Sequence, residues 1–434
     1  MELVLAEKPL LDDSVTLAES GISEDVVVLA VLSKRTAECL WADDAPFDLQ
    51  DPNKLVLLNI PDGTAEIPSD AFSDCKSVAG VTIPKFVTKI GDGAFLNCHS
   101  LISLTMPDSV TEIGREAFRE CSSLTNLTIP EYVEVIGESA FEDCSSLTSL
   151  TIPESVREIG ESSFFGCSSL TSLTIPESVR EIGTRSFYGC SSLTSLTIPE
   201  SVRVIGNSSF YGCSSLTSLT IPESVREIGN SSFYGCSSLT SLTIPASVEV
   251  IGGHSFRDCN SLTSLIIPAS VTIIGRSSFR NCSSLASLTI PASVKVIEPF
   301  SFSGCSALTG LTIPESVTEI GLGAFDGCRS LTSLTIPGSV TRIDHRAFEG
   351  CSALKSLVIP DSVRHVGREA FSGCSSLTKL VIPPSTSLEW SCRGRPTSCQ
   401  VTQVSAAQQE STVERLKHRR ANPSTSCLRR RTST

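Results

Sequence analysis

The chain has 434 residues and a net charge of −13 at pH 7, and it contains only 2 Trp, 4 Tyr and 2 Met. An acidic body of this kind disfavours general binding to nucleic acid or to an anionic membrane surface. Because a few residue types are reused so often, internal repeats are the first organisation to look for.

The N-terminal part, residues 1–35, differs in composition from the rest of the chain. Its apolar run at 26–32 follows Glu24 and Asp25, and it is too short and too acidic in its flank for a signal peptide or a membrane span. We therefore expect a cytoplasmic protein with no transmembrane segment. Its 18 cysteines are then expected to be reduced thiols rather than a disulfide framework.

Residues 7–32 resemble the second half of a ubiquitin-like domain. The resemblance rests on an Asp13-x-x-Thr16 turn, an Ile22 anchor and a final apolar strand. The alternative is a small β-rich cap on the first repeat, because terminal repeats need an atypical cover. Residues 36–54 are predicted to be a linker.

A 23-residue period occupies residues 55–384. Fourteen cysteines from Cys75 to Cys374 keep this spacing, each with a Phe three positions earlier, and fifteen prolines keep it too. One unit, residues 147–169, reads LTSLTIPESVREIGESSFFGCSS. A fixed period of this length with a Leu-x-x-Leu-x-Ile core is a leucine-rich-repeat signature.

The alternation within this unit predicts its first strand. Leu150 and Ile152 alternate with Ser149 and Thr151, which is the period-2 pattern of a strand with one buried face. Pro153 has no backbone N–H to donate and is expected to close the strand.

The remainder of the unit supplies two more sides of a coil. Val156 and Ile159 predict a second short extended segment, and Gly160 is expected to give the backbone freedom for a corner. Phe164 and Cys167 lie three apart, as on one face of a helical or 3₁₀ turn. The predicted structural core of three successive units consists of Phe164, Cys167, Phe187, Cys190, Phe210 and Cys213.

These features predict a mainly β repeat solenoid: a curved leucine-rich-repeat rod of about 14 coils with parallel strands and short helical or 3₁₀ turns. The unit resembles the BspA-like class of leucine-rich repeats, in which Pro, Gly, Phe and Cys recur in this phase. The resemblance covers residues 55–384. It implies a parallel-stranded solenoid that binds ligands and is not a catalyst, in a class whose members are often surface or adhesion proteins.

Residues 385–434 lose the repeat phase and carry nine Lys or Arg against three Asp or Glu. Low hydropathy together with positive charge predicts a basic disordered tail. Such a tail is typical either of an import or anion-binding tract or of an unconstrained extension.

No metal, cofactor or catalytic set is predicted. Zinc sites need ligands in short Cys pairs, and the repeats contain none. A nucleophile needs a base and a group that orients the base, and no such combination stands out in the sequence. We therefore predict a non-enzymatic protein.

Two exposed columns are candidate contact surfaces. The strand-face ladder is a regular array of outward hydroxyls on the predicted strands: Ser149, Thr151, Ser172, Thr174, Ser195, Thr197, Ser218 and Thr220. Such an array suits glycans, also looks like the Ser/Thr lattices of ice-binding proteins, and is equally explained by small β-formers that tolerate stacking.

The second column, the interaction ridge, lies just after the repeat Phe. It combines aromatic and cationic residues of four near-identical units: Phe165, Tyr188, Tyr211, Tyr234, Arg157, Arg180, Arg203 and Arg226. Aromatics with Arg are typical of interface hot spots. The alternatives are recent copying of one neutral choice and a solvated Glu/Arg network.

The sequence therefore predicts a binding scaffold that mediates protein–protein interaction through its stacked repeat faces. The main alternative is a surface adhesin or glycan-binding protein exported by an unrecognised route. Ice binding by the strand-face ladder is a third interpretation.

Overall fold

The computed structural model describes residues 28–31, 56–60, 62–388 and 400–403. These residues form a parallel-stranded β-solenoid with one coil per 23-residue repeat, and no helix occurs among them. They divide into two compact units, Met1–Val271 and Thr272–Thr434. The predicted solenoid with parallel strands is confirmed.

The first sheet is built from one short strand of every coil. Ser149 pairs with Ser172 and Leu150 with Leu173 in parallel register, so equivalent residues stack above one another. In the first unit its strands are Val28–Val31, Val56–Asn59, Val78–Thr82, Ser103–Thr105, Asn126–Thr128, Ser149–Thr151, Ser172–Thr174, Ser195–Thr197, Ser218–Thr220, Ser241–Thr243 and Ser264–Ile266.

The second sheet follows after the proline and a tight turn. Each of its strands has two residues, the first outward and the second buried, as in Glu158–Ile159. In the first unit they are Glu66–Ile67, Lys89–Ile90, Glu112–Ile113, Val135–Ile136, Glu158–Ile159, Glu181–Ile182, Val204–Ile205, Glu227–Ile228 and Val250–Ile251.

The second unit repeats both sheets. Its first-sheet strands are Ser287–Thr289, Gly310–Thr312, Ser333–Thr335, Ser356–Val358, Lys379–Ile382 and Gln400–Gln403, and its second-sheet strands are Ile273–Ile274, Val296–Ile297, Glu319–Ile320, Arg342–Ile343, His365–Val366 and Ser387–Leu388.

The core is a set of stacked columns, one for each apolar position of the repeat. Phe164, Phe187 and Phe210 are 0 % exposed, and their rings stack with centroids 5.4 Å apart. Cys167 and Cys190 are also 0 % exposed. Each residue contacts its own copies in the neighbouring coils, so stability is approximately a sum of nearest-neighbour terms.

The third side of the coil, called here the turn side, differs from the predicted helical or 3₁₀ turn. Ser162 and Gly166 have φ of 54° and 72°, in the left-handed region. The N–H groups alternate in direction: Phe164 N donates to Ser186 O of the next coil at 2.8 Å, whereas Phe165 N donates back to Ser162 O at 3.0 Å. Half of the donors are needed between coils, so no continuous helical turn can form.

The corner glycine also differs from its predicted role. Gly160 does not have a positive φ, so backbone freedom is not the reason for glycine here. A Cβ atom at this position would lie 2.8 Å from both Gly137 C and Ile136 O of the preceding coil. Glycine is required because two backbones approach closely.

Both ends of the first sheet carry an additional strand. Val28–Val31 pairs in parallel with Val56–Asn59, while the rest of the predicted ubiquitin-like segment and the linker lie outside the described residues. At the C-terminal end, two strands fall within the segment predicted to be a disordered tail: Ser387–Leu388 of the second sheet and Gln400–Gln403 of the first. Both pair in parallel with strands of the preceding coil. Positions 389–399 and 404–434 of that tail lie outside the described residues.

Candidate functional site

The strand-face ladder lies where the sequence predicts it. In each strand from Ser149–Thr151 to Ser241–Thr243 the middle Leu is buried and both hydroxyl residues are exposed. The strands pair in register, so the Ser and Thr side chains form two parallel rows on the first sheet.

Many other hydroxyls of the repeat donate hydrogen bonds to backbone carbonyls, most of them in the preceding coil. In the coil at 147–169 four of them donate to backbone carbonyls: Thr148 to Thr125 at 3.2 Å, Ser155 to Val133 at 2.5 Å, Ser163 to Gly160 at 2.9 Å and Ser168 to Ser145 at 3.4 Å. Within the part of the chain that the structure describes, Ser149 and Thr151 make no side-chain hydrogen bond. Their hydroxyls are therefore available to a ligand or to water.

The aromatic part of the interaction ridge is a continuous stack of four rings on the turn side. Centroids are 4.6 Å apart for Phe165 and Tyr188, 4.4 Å for Tyr188 and Tyr211, and 4.4 Å for Tyr211 and Tyr234. Interplanar angles are 9° or less. All four side chains are half-buried. Because neighbouring rings cover each other's faces, the stack presents ring edges and hydroxyls to solvent.

One end of the stack is closed by a charged pair that sequence reasoning did not single out. The Arg257 guanidinium lies over the free face of Tyr234, 5.2 Å from its centroid. Its Nε is 3.6 Å from Asp258 Oδ2, so the cation is held between a ring and a carboxylate. Counting 23 residues on from Tyr234 gives Arg257, and this register would have identified it.

The tyrosine hydroxyls lie close to one another along the stack, and the carboxylate of Asp258 lies close to the hydroxyl of Tyr234. Partial burial is the main cause that raises the pKa of each of these phenols, and the neighbouring hydroxyls and carboxylate add to it. The raised pKa favours the neutral phenol.

The predicted Arg column occupies a different side of the coil. Arg157, Arg180 and Arg203 are exposed, immediately before the second-sheet strands. The cations that act electrostatically on the tyrosines are instead Arg185 and Arg257. The sequence placed the Arg column beside the aromatics because spacing alone does not show that the corner at the repeat glycine separates the second sheet from the turn side.

Within the described residues the Arg column forms one ion pair. Arg226 Nη1 lies 3.5 Å from Glu249 Oε1, with side chains 73 % and 62 % exposed. An ion pair this open to solvent contributes little to stability. The remaining three guanidinium groups have no carboxylate within ion-pair distance in the described residues.

The cysteine column has no ligand-binding geometry. From Cys98 to Cys259 each thiol donates to the carbonyl of the Phe in the preceding coil, as Cys167 Sγ does to Phe141 O at 3.4 Å. Burial raises the pKa of Cys190 and Cys236 to about 12. A thiol that stays protonated is a poor nucleophile and a poor metal ligand, so this column is structural.

Over 62–388 and the shorter described segments, no group of three His, Cys, Asp or Glu is arranged to hold a metal ion. None of the described segments forms a helix with the length and apolarity that a membrane crossing requires.

Comparisons with known proteins agree with this geometry. A family model described as the BspA type leucine-rich repeat region matches residues 50–171, 157–286 and 272–392. A leucine-rich repeat protein from Bacteroides ovatus is 30% identical and has a TM-score of 0.59, over 77% of this chain and 92% of that one.

Two further solved structures are similar over most of the chain. A leucine-rich cell surface protein from Faecalibacterium prausnitzii is 26% identical over 82% of this chain and 89% of that one, with a TM-score of 0.43. A leucine-rich repeat protein from Eubacterium ventriosum is 24% identical over 83% and 91%, with a TM-score of 0.48. Comparison with curated proteins finds no match. The family-model match spans most of the chain, and the chain therefore belongs to the BspA-type leucine-rich-repeat family.

Proposed function

We propose that this protein is a non-enzymatic scaffold that binds a protein partner through the four-ring stack of the turn side. The observation that carries the proposal is the half-buried stack of Phe165, Tyr188, Tyr211 and Tyr234, closed at one end by Arg257. Tyr and Arg side chains dominate interface hot spots.

Rigidity supports this assignment. Each ring is held by its neighbours at 4.4 to 4.6 Å. Side chains that are already ordered lose little conformational entropy when a partner binds. The flanking turn-side positions Gly166, Gly189, Gly212 and Gly235 carry no side chain, so the rings are accessible from that side.

The exposed chemistry favours protein over sugar at this site. Ring edges carry the positive part of the aromatic quadrupole, and they attract carbonyl oxygens, carboxylates and the faces of other aromatic rings. Both faces of each tyrosine ring are covered by a neighbouring ring or by Arg257, so these faces are not open to a sugar. The stack therefore suits a polypeptide surface with acceptors or aromatic groups.

A triple variant tests the proposal. Tyr188→Ser, Tyr211→Ser and Tyr234→Ser together are expected to weaken capture of a protein partner by at least about 30-fold. Binding is measured with the purified partner, and the contact is located by hydrogen exchange, which should show protection at 185–235. Affinity within twofold of wild type, or protection confined to other residues, would refute the site.

The matched control changes the same three coils on another side. Thr174→Ala, Thr197→Ala and Thr220→Ala remove exposed hydroxyls that make no hydrogen bond in the described structure. This control is expected to leave protein binding unchanged.

The strand-face ladder supports a second candidate function. Its hydroxyls, unlike those of Thr148 and Ser155, are not used between coils, and a flat row of free hydroxyls suits a repetitive polar ligand such as a glycan. In that case the Thr→Ala control would lose glycan binding on an oligosaccharide array, and the Tyr→Ser variant would keep it. Equal glycan retention by both variants would remove this candidate.

A further inference from the structure

The four tyrosines of the chain occupy two very different environments. Tyr132 is 64% exposed and lies outside the stack. Tyr188, Tyr211 and Tyr234 are stacked at 4.4 Å, nearly parallel and half-buried. Three adjacent phenols in van der Waals contact are not needed for packing, because Phe165 occupies the same position of the repeat in the same stack.

We propose that Tyr188, Tyr211 and Tyr234 form a site of one-electron oxidation at which two adjacent tyrosines couple into a dityrosine staple between neighbouring coils. The oxidant is of the haem peroxidase and hydrogen peroxide class. The inference concerns covalent chemistry of the ridge and does not depend on partner binding.

Coupling is a two-electron oxidation of a pair of tyrosines. Two phenols each lose one electron and one proton and become phenoxyl radicals. The radicals join through the ring carbons next to the oxygens, and the hydrogen displaced from each of these carbons returns to its oxygen. The two electrons and two protons that the phenols lose reduce one hydrogen peroxide to two waters.

A proton acceptor lies at one end of the stack. Arg257 covers the Tyr234 ring and is 3.6 Å from Asp258 Oδ2, so this carboxylate is placed to accept the phenolic proton of Tyr234 as the electron leaves. Tyr132 has no such connection to this carboxylate, since it lies in a different coil position.

The stack also confines the radical to neighbours that can couple. Because rings in contact exchange electrons readily, a radical formed on one tyrosine is shared with the next ring. At the two ends the positions are Phe165 and Arg257, and neither side chain yields a phenoxyl radical. The radical therefore remains among three tyrosines, and each coupling partner lies one coil away.

The buried thiols of the same coils do not compete effectively. Cys190 and Cys213 are 0 % exposed, and burial raises the pKa of both thiols. Oxidation of cysteine proceeds through the thiolate and depends on exposure. The half-buried phenols are thus the more accessible reductants in this part of the solenoid.

Dityrosine formation in dilute full-length protein tests the inference. The chain is treated with horseradish peroxidase and limiting hydrogen peroxide, the monomer is isolated by size exclusion, and dityrosine is measured by fluorescence and by mass spectrometry of cross-linked peptides. We expect Tyr188–Tyr211 and Tyr211–Tyr234 cross-links within the monomer. Cross-links that occur only between molecules, or that include Tyr132, would overturn the inference.

Conservative variants keep the experiment independent of folding. Tyr211→Phe preserves the stack, as Phe165 does, but leaves Tyr188 and Tyr234 two coils apart, roughly 9–10 Å. It is expected to lower monomer dityrosine more than tenfold, whereas Tyr188→Phe retains about half because one of the two pairs remains. Tyr132→Phe is the matched control and should retain the full yield. Wild-type yield from Tyr211→Phe would overturn the inference.

The role of the proton acceptor has its own variant. Asp258 has a φ of 62°, which Asn tolerates, so Asp258→Asn keeps the backbone and removes the carboxylate. We expect a several-fold slower formation of dityrosine with the same cross-linked pairs. An unchanged rate would overturn the assignment of Asp258.

Discussion

Alkaline pH should unfold the first unit through its cysteine column. In the first unit eight thiols have a pKa raised above the ordinary value of 9.0, chiefly by burial: Cys75, Cys98, Cys121, Cys144, Cys167, Cys190, Cys213 and Cys236. The folded pKa lies above the unfolded one. The contribution to stability is therefore complete below pH 9 and is lost as pH rises toward the folded value.

The magnitude follows from the raised pKa values. Burial raises the pKa of Cys75 to about 11 and that of Cys190 and Cys236 to about 12, so at about pH 10 these thiols ionise only in the unfolded chain. Each then costs about 1 kcal/mol, and eight thiols with raised pKa together cost on the order of 10 kcal/mol. That sum is comparable to the whole stability of a typical domain, about 5–15 kcal/mol. We expect unfolding near pH 10.

Urea unfolding followed by circular dichroism between about pH 8 and about pH 10 measures this loss, and thiolate absorbance reports ionisation in parallel. The matched variant is Cys190→Ser with Cys236→Ser, whose hydroxyls can donate to the same carbonyls, Phe164 O and Phe210 O, without ionising. Its loss of stability should be smaller than that of wild type by about 2 kcal/mol. Equal losses, or thiolate absorbance from a chain that is still folded, would refute the reasoning.

Four further substitutions are expected to separate the forces within a coil, each measured by urea unfolding at neutral pH. Gly206→Ala places a Cβ 2.6 Å from a backbone oxygen and should lower the free energy of unfolding by about 3 kcal/mol. Gly310→Ala, whose Cβ has nothing within 4 Å, should change it by no more than about 0.5 kcal/mol. Similar effects of the two variants would contradict the close approach of backbones at Gly206. Phe210→Ala empties a fully buried site and should lower the free energy of unfolding by about 4 kcal/mol. A smaller loss than that of Gly310→Ala would contradict a stabilising role for the buried phenylalanine column. Ser178→Ala removes the 2.5 Å bond to Val156 O and should cost about 1 kcal/mol; no loss would mean that water replaces this bond.

The sequence predicts those features of the fold that depend on whether a single side chain is buried or exposed. The period, the strand at Ser149–Thr151 and its parallel pairing follow from alternation and from the need of each coil for neighbours. The burial of Phe164 and Cys167 follows from the same need.

What the sequence does not predict depends on the backbone of the neighbouring coil. Half of the turn-side N–H groups bond to the next coil, and left-handed positions such as Ser162 and Arg185 carry no typical turn residue. A side chain at Gly160 would meet backbone atoms 22 to 24 residues away. No pattern within one unit contains either constraint.

The candidate site was predictable only in part for the same reason. Alignment of units identifies the column of Tyr188, Tyr211 and Tyr234, and one further step of 23 residues reaches Arg257. That the tyrosine faces are covered by neighbouring rings and by Arg257 depends on ring orientation. Such orientation is a property of the stacked coils and not of the sequence of any one of them.

The alternating hydrogen bonds of the turn side have a consequence for how this protein can change over time. Phe164 N donates to Ser186 O, Phe187 N to Ser209 O and Phe210 N to Ser232 O, each at 2.8 Å, so successive coils offer the same acceptor at the same place. If recombination deletes or duplicates one 23-residue unit within this region, every donor finds an equivalent acceptor and every core column stays continuous. The number of coils, and with it the number of rings in the aromatic stack, can therefore change while the fold is retained.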